Sequence, residues 1–289
     1  VVDHDPVPLA GRRRVFADLL PLEPVDHHLR GGPDERAAIE LLPVRPELRR
    51  QHREHGVEQG RMAENARWLS FPPTLPRPTL GVPPGAPMTL YAIPFTCSLA
   101  VRLALAAPGT PHALRWMRRF EHVLDDGAAF DALNPKRRVP AIGLPDGTLL
   151  TEIVAILDWL DRDTDRPAPE RQRHLEWLCY LATELHRPPL VLLFDPASPP
   201  EVLRDAEERL LPPVLAYLEA TLATRPTLLG GDTPSGADHY LFWALTLLRF
   251  RRVAAARTPA LEAFYARHAA LPYVAATVAD ERAVMGRWG

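Results

Sequence analysis

The chain has two thiols, Cys97 and Cys179, and Cys97 is the one set where sulfur chemistry is favoured. It lies in Pro94-Phe95-Thr96-Cys97-Ser98, between an apolar strand-like run and the start of a helical pattern. The unpaired amides and aligned dipoles of a first helical turn stabilise a thiolate, which lowers the thiol pKa and raises its reactive fraction. The alternative is a small buried hydrophobe, a common fate of free cysteine. Ser98 stands beside it as a second candidate catalytic group, or as a helix cap. Val139-Pro140 precedes an apolar strand. A cis bond there would turn the backbone N–H and C=O of Val139 outward to hold a peptide-like ligand, although most X-Pro bonds are trans. Glu152 starts a helix, where its charge suits the dipole and could also accept a ligand amine. His27-His28 and His52-x-x-His55 lack converging ligands and read as solvated histidines rather than a metal site.

Composition narrows the setting. The 289 residues are 46% apolar and 24% charged, enough for two cores of ordinary size. A net charge of -2 provides no positive field for a nucleic-acid backbone or an anionic membrane. Two cysteines cannot staple a scaffold and neither has a partner at metal-ligand spacing, which fits a reducing compartment, the cytoplasm. Val1 to Arg14 has Asp and Pro where a secretion signal needs an apolar run, and the most apolar stretch, Tyr240 to Leu248, is only helix-core length. Lys136 is the single lysine among many arginines.

Residues 1–87 differ from the rest. They are rich in Pro and mixed charge, with short helical possibilities at Arg12 to Leu20 and Glu47 to Trp68, and end in two Pro-dense runs that break regular structure. They read as a linker, or as an upstream extension that never packs. From Met88 the periodicity becomes orderly. Strands are predicted at Thr89 to Ile93, His112 to Arg118, Val139 to Leu144 and Thr148 to Leu150. Helices are predicted at Ser98 to Ala107, Ala128 to Leu133 and Glu152 to Leu160. The order β-α-β-α-β-β-α predicts a mixed sheet covered by helices. After the polar stretch Asp161 to Glu170 only helices follow: Arg171 to His186, Pro200 to Leu222 disturbed at Pro212-Pro213, Gly236 to Arg251, Pro259 to His268 and Pro272 to Val284. Ser235-Gly-Ala-Asp238 has the pattern of a capping box, and the helix it opens is apolar all round and therefore central.

Three segments in order carry a family resemblance: Met88-Thr-Leu-Tyr-Ala-Ile-Pro-Phe-Thr-Cys97-Ser98-Leu-Ala100, Asp126-Gly-Ala-Ala-Phe-Asp-Ala-Leu-Asn-Pro-Lys-Arg-Arg-Val139-Pro140-Ala-Ile142, and Asp146-Gly-Thr-Leu-Leu-Thr-Glu152 followed by Ala155-Ile156. Together with Ala182-Thr-Glu-Leu-His186, the Ser235 to Asp238 motif and the Arg267 to Pro272 region, they resemble bacterial glutathione transferases of the cysteine-containing Beta class. The resemblance runs from Met88 to the C-terminus. It implies an α/β thioredoxin-like glutathione-binding domain over 88–162 and an all-α substrate-binding domain over 163–289, behind a Pro-rich extension over 1–87. It further implies glutathione as co-substrate, no metal, a small electrophile as second substrate, and a homodimer. A start at Met88 would give a chain of about the family's usual length, so residues 1–87 are expected to be either a mis-assigned start or an appendage.

Carried over by position, Cys97 matches the cysteine near the glutathione sulfur. Val139 and Pro140 match the backbone clamp, Glu152 the acid at the γ-glutamyl end, and His186 a histidine of the second domain that lines the site. Two positions depart from the family. Ile153 stands where Ser or Gly is usual, so only its backbone amide could serve the ligand carboxylate. Cys179 stands where relatives place an Asn, and reads as a more apolar site wall, a second redox sulfur or a helix-core residue. The expected activity is conjugation of glutathione to an electrophile. The alternatives are thiol-disulfide exchange or peroxidase chemistry through a Cys97 mixed disulfide, and a non-catalytic binding protein on the same fold.

Overall fold

Alternation in the first strand decides how the sheet is covered. The computed structural model describes residues 87–118, 121–162 and 164–288. In β1 (Thr89–Ala92) the inward pair Leu90 and Ala92 joins a large core shared with the helices, while Tyr91 and the following Ile93 enter a smaller core on the opposite face. That second core is closed by Phe130, in the 3-10 turn Phe130–Ala132, whose ring lies 5.8 Å from that of Tyr91. Both faces of the sheet are thus buried, as the apolar runs of its strands require.

Five strands line up in the order β3-β2-β1-β4-β5. β2 (Ala113–Arg118) runs parallel to β1, and β4 (Ala141–Gly143) pairs antiparallel on the other side. β5 (Leu149–Thr151) returns along β4 through the Asp146-Gly147 turn, where Gly147 has φ 82° and needs no Cβ tolerance. A two-residue strand, β3 (Val123–Leu124), pairs with β2 and was not expected from the sequence. It is too short for any alternation to show.

Helix α1 (Ser98–Ala106) buries Leu99, Val101, Leu103 and Leu105, and α2 (Ile153–Asp161) follows β5 directly. The remaining chain is helical: α3 (Ala168–Tyr180), α4 (Val191–Phe194), α5 (Pro200–Asp205), α6 (Leu211–Leu222), α7 (Gly236–Phe250), α8 (Pro259–Ala269) and α9 (Pro272–Trp288). The thioredoxin-like sheet domain followed by a helical domain is the expected fold. α7 is the centre of the second domain, buried continuously from Ala237 to Thr246, and α1 packs against both α7 and α9.

The capping box forms as its sequence predicts. Asp238 accepts from the Ser235 amide at 2.7 Å, Ser235 Oγ accepts from the Asp238 amide at 3.4 Å, and the same carboxylate also takes the Leu228 amide at 2.8 Å. Two irregularities follow from the prolines of the second domain. The disturbance expected at Pro212-Pro213 lies one turn upstream: Ala206–Leu210 widens into a π turn, while both prolines sit in the first turn of α6. Proline supplies no amide and its ring crowds the carbonyl four residues back, so the helix widens before the ring. Similarly, the segment Leu181–Leu190 continues α3 but breaks at Arg187, which is extended (φ -123°, ψ 127°) ahead of Pro188 and Pro189. The helices expected within 1–87 lie outside the described residues.

Candidate functional site

Cys97 is the N-cap residue of α1, and only 9% of its surface is exposed. Its Sγ donates to the Val139 carbonyl at 3.5 Å, and Val139-Pro140 is a cis peptide. The structure therefore joins the thiol to the proline loop that precedes β4. The expectation of a thiolate at Cys97 is reversed, however. Burial pushes the thiol up to about 12, outweighing the amides of Cys97 and Ser98 and the nearby Arg187 charge that pull it down. Removing the sulfur from water costs the anion more than one exposed helical turn returns.

Ser98 is fully buried and its hydroxyl is committed elsewhere: it accepts from the Ile93 amide at 3.2 Å and donates to the Ile93 carbonyl at 2.9 Å, with Thr96 Oγ1 also at 2.9 Å. Those bonds close the turn that carries Cys97. They leave the side chain turned into the loop, so Ser98 shapes the turn and does not cap α1 by its side chain.

The turn has a second anchor, from the helical domain, that the sequence did not reveal. Phe95 has φ 56°, a left-handed conformation costing a bulky residue on the order of 1–3 kcal/mol. Its amide donates to Glu281 Oε2 of α9 at 2.6 Å, and its carbonyl accepts from Trp243 Nε1 of α7 at 3.1 Å. Glu281 has no exposed surface and also meets Arg102 at 3.2 Å. Burial nonetheless outweighs that arginine and pushes the carboxyl up to about 7. Neither Glu281 nor Trp243 carries a local motif. Only packing brings residues 148 and 186 positions away onto the backbone of one residue, Phe95.

His186 sits immediately before the break at Arg187, so the helix end that Pro188 imposes is what presents it. Its Nδ1 lies 2.6 Å from the Tyr240 hydroxyl, and its ring is edge-on to Trp243 at 4.8 Å. Burial, followed by the Arg187 charge, holds the imidazole down at about 4, so it is neutral near pH 7. Tyr240 and Trp243 stack at 5.7 Å, and Tyr240 feels the charge of Arg187. His186, Tyr240, Trp243, Phe95 and Cys97 thus form one contiguous group across both domains.

At the other end of the loop, Glu152 is the N-cap residue of α2, with φ 72° and a side chain 66% exposed. Lys136 Nζ lies 2.8 Å from its carboxylate and 2.8 Å from Thr151 Oγ1. This pair is exposed and adds at most about 1 kcal/mol to stability. It shows that an ammonium fits there. Ile153 opens α2 with its side chain buried in the main core, while its amide belongs to the first helical turn, where no carbonyl within the helix can reach it. Cys179 is exposed on α3 beside buried Trp177 and Leu178, which overturns its reading as a helix-core residue. Lys136 was legible only as an isolated lysine, and Arg187 only through the prolines that follow it.

Two family descriptions match this chain: "Glutathione S-transferase, N-terminal domain" over residues 96–163 and "Glutathione S-transferase, C-terminal domain" over residues 176–272. Glutathione S-transferase GstA of Escherichia coli O157:H7 is 36% identical over 197 residues, covering 65% of this chain and 95% of that protein. A sphingomonad glutathione S-transferase solved in complex with glutathione is 31% identical, with a TM-score of 0.62 over 67% of this chain and 98% of its own. A beta class glutathione S-transferase of Sphingomonas chungbukensis is 29% identical, with a TM-score of 0.61 and the same coverage. Among the described residues no helix is long and apolar enough to cross a membrane.

Proposed function

The chain belongs to the glutathione S-transferase family of enzymes, and from that premise we propose that it conjugates glutathione to a small, partly apolar electrophile at a Beta-type site centred on Cys97. The observation that carries this reading is the 3.5 Å contact between the Cys97 thiol and the carbonyl of the cis-peptide residue Val139. A peptide-like ligand pairing with the Val139 backbone would lay its own cysteinyl sulfur against Cys97. Glu152 would take the γ-glutamyl ammonium in the position where Lys136 now sits. The first-turn amides of α2, beginning at Ile153, would face the neighbouring carboxylate.

In this arrangement Cys97 acts through its proton. A thiol held at about 12 keeps its proton at neutral pH. Once a ligand amide replaces it on the Val139 carbonyl, that proton turns to the glutathione sulfur, where a donor favours loss of the glutathione proton to solvent. The resulting thiolate attacks the electrophilic carbon, forming the C–S bond as a leaving group departs or as the adjacent atom takes a proton. Binding contributes by holding both reactants in one cleft, and the exposed Arg187 adds positive charge near the sulfur. The same high pKa disfavours a Cys97 mixed disulfide, since the thiolate is the species that attacks a disulfide. The homodimer and the cytoplasmic setting belong to the same reading.

Calorimetric titration with glutathione, followed by conjugation of a halogenated dinitrobenzene, tests it. Saturable binding and product formation are expected. Absence of glutathione binding would remove the proposal and leave a non-catalytic role for the fold.

A further inference from the structure

Resting on the reading that the cleft receives the glutathione sulfur, we propose that Tyr240 is a positioning residue that fixes the tautomer of His186, so that the imidazole Nε2–H donates into the cleft toward that sulfur. Tyr240 lies on α7, with 1% of its surface exposed. A buried phenol must place its proton on an acceptor, and the hydrogen-bond partner of this hydroxyl is His186 Nδ1, at 2.6 Å. Nδ1 is therefore the acceptor nitrogen of a neutral ring, and the ring proton resides on Nε2.

The phenol is itself immobilised. Its ring stacks on Trp243 at 5.7 Å and 27°, and the Trp243 indole is tied to the Phe95 carbonyl two residues before Cys97. The orientation of His186 is thus referenced to the same loop that positions the thiol, although the two side chains come from different domains. Burial raises the Tyr240 hydroxyl well above its ordinary range, which keeps it protonated, and depresses His186, which keeps the ring neutral. Without the phenol hydroxyl a buried Nδ1 loses its donor. The ring would then move its proton to Nδ1 or rotate, and Nε2 would cease to donate.

The test is the ring-nitrogen spectrum of ¹⁵N-histidine-labelled protein without ligand, in wild type and in Tyr240→Phe, which keeps the stacked ring. His186 is expected to show a protonated Nε2 and an unprotonated Nδ1 in wild type, and to lose that preference in the variant. With glutathione bound, thiolate absorbance should show the ligand thiol titrating about one pH unit higher in Tyr240→Phe. Turnover should fall about tenfold with little change in KM for glutathione, the loss expected for one charge-assisted donor. In a His186→Ala background the tyrosine substitution should cost nothing further. A wild-type His186 protonated at Nδ1 overturns the inference without recourse to any variant, as does an unchanged tautomer in Tyr240→Phe or an additive double mutant. If glutathione does not bind, the functional reading fails and the donation to sulfur with it, while the ligand-free spectra still decide whether Tyr240 sets the tautomer.

Discussion

Alkylation kinetics of the two cysteines test whether Cys97 is a thiol or a thiolate, because the chain supplies its own control. Burial moves the Cys97 thiol from 9.0 to about 12, a difference of three units, which is about 4 kcal/mol of penalty on the anion. At any pH below 9 its thiolate fraction is then about 10³-fold smaller than that of an unperturbed thiol. Cys179 is exposed on α3. With iodoacetamide and peptide mapping by mass spectrometry, Cys97 should label at least about 10³-fold more slowly than Cys179 at pH 7.5. Its rate should climb tenfold per pH unit without a plateau to pH 10. The same shift predicts that Cys97→Ala eliminates the slow mixed disulfide formed with oxidised glutathione, yet retains conjugation to within about tenfold, since only one donor is lost. A Cys97 rate that levels off below pH 9, or that exceeds the Cys179 rate, would refute the view that burial outweighs the helix start.

Glu152→Gln should weaken glutathione binding about tenfold by calorimetry, through loss of a charge-assisted contact, while the melting temperature stays within about 1 °C because the carboxylate is exposed. Ser235→Ala should cost about 1 kcal/mol in urea unfolding through loss of the cap. Asp238→Ala should cost more, since it strands the Ser235 and Leu228 amides together. Stability should fall on acidification below pH 6.5, because His186 and His239, depressed to about 4 and about 3 by burial, stay neutral in the folded chain while their unfolded counterparts bind protons. Glu281, raised to about 7, acts oppositely: its contribution is complete below its unfolded value of 4.5 and is lost as pH rises through about 7. Thermal melts from pH 4 to 9 should therefore show a net acid-side loss, and His239→Leu should shrink it.

The order of strands and helices, the capping box at Ser235, the central burial of α7 and the placement of Cys97 at a helix start are all local statements. Each depends on residue spacing within one or two turns, so the sequence by itself determined them, and with them the fold. The sheet alternation at Leu90 and Tyr91, and the halt at Pro188, are of the same kind. What the tertiary structure decided are the properties that depend on who else is nearby. A thiol at a helix start reads as activated until the second domain buries it, and then desolvation outweighs the dipole. Ser98 reads as a catalytic neighbour until its hydroxyl is found spent on Ile93. Cys179 reads as core until α3 turns it to solvent. The anchors of the cysteine turn, Glu281 and Trp243, and the phenol that holds His186, come from 186, 148 and 54 residues away in sequence. No spacing rule reaches that far: such pairings are fixed by the packing of α7 and α9 against α1, and the neutral states of Cys97 and His186 follow from the water that burial excludes.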